Sequence, residues 1–272
     1  TNMQQMFSNA TAFNQPLNWD TSSVTNMFQM FSNANAFNQP LNWDTSSVTN
    51  MIGMFNGASA FNQPLNWDTS SVVNMEGMFF LATSFNGTLT FSDTSSVTTM
   101  KQMFFQATSF NQPLNWNTSS VTTMADMFYQ AIAFDQTLNW DTSSVLSMQS
   151  MFRLASSFNS ALTFSDTSSV TNMSYMFNQA TSFDQPLNWD VSSVTTMFQT
   201  FVNVNFSTTN YDLILVYWQN ALQSVFPGGT GYTPNISVSF GSTQYTGGSS
   251  AAIARASLIN NYGWTITDGG AI

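Results

Sequence analysis

The chain has 272 residues, only 6% of them charged, and a net charge of −10. Three basic residues, Lys101, Arg153 and Arg255, cannot match a run of phosphates, so nucleic acid and an anionic membrane surface are excluded as partners. Cysteine and histidine are absent, which removes disulfides, the usual nucleophile–base pairs and most transition-metal sites.

From Phe13 to Phe37 the chain reads FNQPLNWDTSSVTNMFQMFSNANAF, and the stretch returns with small edits until about residue 201. Its aromatic column, Trp19, Trp43, Trp67, Phe91, Trp116, Trp140, Phe164 and Trp189, advances by 24 or 25 residues. Units of this length stack only on their neighbours. Residues 1–202 therefore read as a right-handed solenoid of about eight repeats, with a short parallel strand in each. Thr1-Asn2-Met3 matches Thr25-Asn26-Met27, so the sequence reads as part of a longer chain.

Within a repeat, Leu17 and Trp19 alternate with Asn18, the period of a strand whose Leu and Trp point inward. Asp20-Thr21-Ser22-Ser23 follows, a set that bonds its own backbone and favours turns. Val24, Met27, Met30, Phe31, Ala34 and Phe37 are spaced by three and four residues, which suits a short helical or irregular turn with one buried face. All 17 methionines fall in two columns and read as core filler.

Two columns are candidate sites. Asn18, Asn42, Asn66, Asn115, Asn139 and Asn188 face outward on the sheet, with Thr90 and Thr163 completing the row. Amides in register either bond along the stack or bind a ligand. Asp20, Asp44, Asp68, Asp141 and Asp190, with Asp93, Asp166 and Asn117, are either turn-capping acceptors or calcium ligands. Asn117 keeps the acceptor and loses the charge, which favours capping. No other cofactor or metal is expected. Thr21, Thr45 and Thr69, continued at Thr94, Thr118, Thr142 and Thr167, resemble a hydroxyl ladder of the kind that binds ice. Asp135 and Asp184 stand in the place of Asn14 and read as solvated substitutions. Sequons fall at Asn9, Asn86, Asn117, Asn172, Asn205 and Asn235, which are glycosylation acceptors only in a glycosylating host. The repeats at Phe85 and Phe158 exchange Trp for Phe and gain Ser92 and Ser165, read as bulges at the turn.

After Phe201 the pattern breaks. Residues 203–272 read as an α/β cap. It has a helix over Asn210–Ala221 stopped by Pro227-Gly228-Gly229, and a strand at Ile236–Phe240. A second helix is capped by Ser249 or Ser250 and runs through Asn261, and a last strand covers Trp264–Thr267.

Repeats of the form VTNMxxMFxxAxxFNQPLNWDTSS resemble the BspA-like surface-protein repeats, a leucine-rich-repeat group of bacterial and mycoplasma surface proteins. The ending YTGGSSAAIARASLINNYGWTITDGG resembles the segment that often follows them. The resemblance implies a leucine-rich-repeat-like fold, an extracellular or cell-surface location and a role in adhesion or recognition. The expected protein is not an enzyme. Its partner is a protein or glycan on another surface, met through the Asn18 and Asp20 columns. The alternative is a structural subunit of a filament or surface layer, whose partners are copies of itself. No segment is apolar enough to insert in a membrane.

Overall fold

A computed structural model describes all 272 residues. Successive repeats stack in parallel register along the Val-Thr-Asn-Met segment. One column of bridges runs through Asn2, Asn26, Asn50, Asn74, Thr99, Thr123, Ser147, Asn172 and Thr196.

The Leu-Asn-Trp segment departs from expectation. It forms a strand in four repeats only, as two pairs. β1 (Leu65–Trp67) pairs with β2 (Leu89–Phe91), and β3 (Leu138–Trp140) pairs with β4 (Leu162–Phe164). The indole explains the difference. Trp43 Nε1 donates to the Leu17 carbonyl, and Trp67 to Leu41, both at 3.1 Å; Trp140 donates to Leu114 at 3.0 Å. A side-chain donor thus joins three of the five repeat pairs that lack a main-chain ladder; the two whose Trp follows a Phe, at Trp116 and Trp189, have neither. Phe91 and Phe164 have no N–H to give, and there the main chains pair directly. Each inserted serine adds its extra residue at a bend just after the strand, and its N–H extends the ladder. Ser92 N–H donates to Trp67 O and Ser165 N–H to Trp140 O. Their hydroxyls donate to the carboxylates of Asp68 and Asp141.

The Met-x-x-Met-Phe segment is a run of tight turns, not a helix. Two residues per repeat are left-handed, as at Gln29 (φ 49°) and Asn33 (φ 57°). Such a conformation costs roughly 1–2 kcal/mol in a non-glycine residue. Bonds to the next repeat offset it: Gln29 N–H reaches Ile52 O at 2.8 Å and Phe31 N–H reaches Met54 O at 2.8 Å. Inside, the phenylalanines stack in parallel columns, with Phe31 5.6 Å from Phe55 and Phe55 5.5 Å from Phe79. From Met27 to Met197 the methionine columns are core, as their spacing predicts, while Met6 in the first repeat is half exposed.

The Thr21 column also points inward, so it is not the exposed hydroxyl ladder its spacing suggests. Each of its seven side chains is at most 2% exposed. Thr45 Oγ1 donates to the Asp68 carbonyl of the next repeat at 2.7 Å, and Thr21, Thr69, Thr94, Thr118, Thr142 and Thr167 do the same one repeat on. We expect Thr45→Val to lower the unfolding free energy by about 1–2 kcal/mol, since it removes a buried donor from the Asp68 carbonyl at almost constant volume. Urea denaturation checks this; an unchanged midpoint would remove the column from the interactions that hold the stack.

The C-terminal segment follows its predicted order. α1 (Thr208–Val225) is capped by Ser207, and the Pro227–Gly229 turn ends it. β5 (Ser237–Ser239) pairs in parallel with β6 (Thr265–Thr267), and α2 (Ser250–Asn260) between them is capped by Ser249. Tyr211, Leu215, Trp218 and Leu222 form the buried face of α1. The segment packs on the last repeat through Phe201, whose ring lies 5.0 Å from Phe240 and 6.3 Å from Trp218.

Candidate functional site

The polar columns of the repeats differ in what they do with their hydrogen-bonding groups. In the Asn14 column each side-chain oxygen accepts the main-chain N–H one repeat later. Asn14 serves Asn38 at 2.9 Å, Asn38 serves Asn62, Asn62 serves Asn86, and Asn86 serves Asn111. Asp135 and Asp184 continue this ladder, to Asn159 and Ser207, both at 2.8 Å. They are structural acceptors and not solvated substitutions. The recurrent FNQ motif carried that signal, because an acceptor at fixed repeat spacing can satisfy a neighbouring backbone.

The Asp20 column closes its own turns, which is the capping reading. Ser22 N–H donates to Asp20 Oδ1 at 3.0 Å and the Ser22 hydroxyl at 2.6 Å; Asp44 and Asp141 repeat the pattern with Ser46 and Ser143. Asp68 and Asp190 accept the N–H of Ser70 and Ser192. Asn117 takes Ser119 N–H at 3.1 Å without a charge. The serine hydroxyl, then the serine N–H, holds Asp20 and Asp44 below the ordinary carboxylate range; in Asp68 and Asp141 the N–H acts first. Nowhere do three or more acidic side chains converge as a calcium ion requires.

The Asn18 column does neither. Asn18, Asn42, Asn66, Asn115, Asn139 and Asn188 are exposed, as are Thr90 and Thr163. Their side chains make no hydrogen bond within the protein, so the expected amide ladder along the stack does not form here. The burial pattern shows why: Leu65, Asn66 and Trp67 alternate buried, exposed, buried. The result is a row of free amides and hydroxyls on one face, flanked by the carboxylates of the Asp20 column.

A cleft opens in this face after β2. No main-chain hydrogen bond joins β2 to Leu114–Trp116. The cleft measures about 310 Å³ and is lined by Thr88, Thr90, Phe91, Gln112, Asn115 and Trp116. Trp116 Nε1 is buried without a partner, as is Trp189 Nε1, and both follow a Phe repeat. A Trp placed after a Phe in the column was the sequence signal for this break.

The sequons are placed unequally. Asn205 and Asn235 are exposed, as are Asn9, Asn86 and Asn117. Asn172 is half-buried, with its oxygen on Ser174 N–H and its nitrogen on Gln149.

Stacked units of 24 and 25 residues, bridged in parallel from Asn2 to Thr196 and joined by short strand pairs, define a repeat protein with few helices. The chain belongs to the family described as Mycoplasma protein of unknown function, DUF285, whose model matches residues 1–66, 64–139 and 114–218. Neither a curated protein nor a solved structure matches the chain.

Proposed function

We propose that this protein is a non-enzymatic recognition or adhesion module of an extracellular surface. In this reading the repeat stack is a solenoid of the leucine-rich-repeat, BspA-like type, and its Asn18 face contacts a protein or glycan. One observation carries the proposal. The Asn14 and Asp20 columns are satisfied internally, while the Asn18 column leaves every side chain free. Free amides and hydroxyls at regular spacing offer many weak, simultaneous hydrogen bonds to a repeating ligand. Phe91 and Trp116, stacked on each other at 5.5 Å, line the cleft within the row.

Replacing Asn18, Asn42 and Asn66 together by Ala tests it. Stability should stay within about 0.5 kcal/mol per site, because no internal bond is lost. Binding to arrayed glycans and to cell-surface proteins should fall by about tenfold or more. A triple variant that binds like the parent would sink this face as the contact surface.

Assembly of copies into a filament or surface layer is the second reading. The low charge of the chain, 6% of residues, favours it by leaving the rows of each copy little to repel. Mass in solution across concentration separates the two: a monomer at every concentration supports recognition, and growing polymers support assembly.

A further inference from the structure

Within the repeats, the charges that lie outside the Asp20 and Asn14 columns gather on the tight-turn side of the stack, away from the Asn18 face. Glu76, Lys101, Asp126 and Arg153 come from four successive repeats. Beside them runs a row of half-exposed aromatic rings. Phe80 stacks on Phe105 at 4.5 Å, and Phe105 on Tyr129 at 4.4 Å. A guanidinium closes the far end of the row: Arg153 lies 5.5 Å from the Tyr129 ring and 5.0 Å from that of Tyr175.

The near end is open. One repeat before Phe80 the equivalent residue is Asn56, a shorter side chain. The left-handed position that holds Gln5, Gln29 and Gln102 is occupied between them by Gly53 and Gly77. Backbone strain does not demand these glycines, since the glutamines adopt the same conformation. At Gly77 packing does not demand one either, because a Cβ there would meet only Phe80 Cβ, at 3.6 Å. Their effect is to interrupt the glutamine row and leave a hollow of about 240 Å³. Gln29, Asn56, Glu76, Phe80 and Gln102 line it. Glu76 is held only by Lys101 at 3.7 Å, with both side chains about two-fifths exposed, and such a pair is weak and readily exchanged.

We propose that this hollow binds a basic side chain of a partner peptide, an arginine in preference to a lysine. The guanidinium lies against the open face of Phe80 and accepts the Glu76 carboxylate as its counter-ion, as Arg153 closes the opposite end of the aromatic row. The ring quadrupole attracts the cation, and the planar guanidinium stacks where an ammonium does not. The net charge of −10 draws a basic partner towards the surface. This site is separate from the Asn18 face, and neither depends on the other.

The test uses the whole chain and a pentapeptide, acetyl-Gly-Gly-Arg-Gly-Gly-amide, with its citrulline analogue as the neutral control. Binding is followed by nuclear magnetic resonance shifts of the Gly77 and Phe80 amides. The arginine peptide should bind in the millimolar range and the citrulline peptide about tenfold more weakly. Gly77→Gln fills the hollow with the residue found at Gln29 and Gln102, and Glu76→Gln removes the charge; each should weaken binding by about tenfold. Lys101→Ala frees Glu76 and should tighten it several-fold. Arginine binding that ignores Gly77→Gln, equal binding of the citrulline peptide, or no shift at millimolar peptide would each overturn the proposal.

Discussion

Replacing Trp67 by Ala should lower the stability of the repeat stack by about 3–5 kcal/mol. Trp67 is among the largest fully buried side chains, and its ring packs 6.2 Å from Phe55. The loss combines transfer free energy with a cavity that the neighbouring repeats cannot fill, because their own columns hold them in register. Two gentler substitutions separate packing from hydrogen bonding. Trp67→Phe installs the residue that Phe91 and Phe164 already provide in this column, but strands the Leu41 carbonyl. It should cost about 1–2 kcal/mol beyond the lost ring area. Trp116→Phe loses no hydrogen bond, since Trp116 Nε1 has none, and should be the milder change. Urea unfolding followed by fluorescence reads all three. If Trp116→Phe proved as costly as Trp67→Phe, the indole–carbonyl bonds would not be what joins the unpaired repeats.

Asp268→Asn should cost about 3 kcal/mol and loosen the C-terminal segment first. Asp268 receives Tyr211 OH at 2.6 Å, Arg255 Nε at 2.7 Å and Arg255 Nη2 at 3.1 Å, and its side chain is 2% exposed. These bonds tie α1, α2 and the end of β6 together. Burial pushes the Asp268 carboxyl up, but the bonds from Arg255, Tyr211 and Gly270 together outweigh it and hold the carboxyl below its ordinary range. Burial, then the bond to Asp268, pushes the Tyr211 hydroxyl far up, so Tyr211 stays a donor throughout.

The pH dependence follows from that direction. A carboxylate lowered in the folded state contributes stability that is complete above its unfolded value, about 3.9, and is lost as pH falls through the folded value. Asp20, Asp44, Asp68 and Asp141 act with the same sign. Asp126, raised chiefly by burial, runs the opposite way. The melting temperature should therefore hold steady from neutral pH to about pH 5 and fall below about pH 4. Asp268→Asn should flatten the acid limb; an acid limb unchanged in that variant would place the sensitivity in the turn aspartates.

The period, the buried columns and the C-terminal order of helix, strand, helix, strand were legible in the sequence. Each rests on a one-dimensional rule: spacing places Leu17, Met27 and Phe31 on one side, and Ser249 marks the start of α2. The stack of residues 1–202 is repetitive enough that one correct repeat predicts its neighbours. What spacing cannot reveal is which partner a polar group finds. Thr21 and Asn18 lie three residues apart and look equally polar, yet one is buried against the Asp44 carbonyl and the other is free. Asn14 and Asn18 are the same residue type in the same repeat, yet only Asn14 meets a neighbouring N–H. The strand pairs and the cleft depend on whether an indole or a main-chain N–H reaches a carbonyl of the adjacent repeat. The hollow at Gly77 exists because residues 24 and 25 apart come side by side. Such contacts are set by the distance between repeats, which only the packed structure fixes, because hydrogen bonds require both partners in place and column patterns specify one.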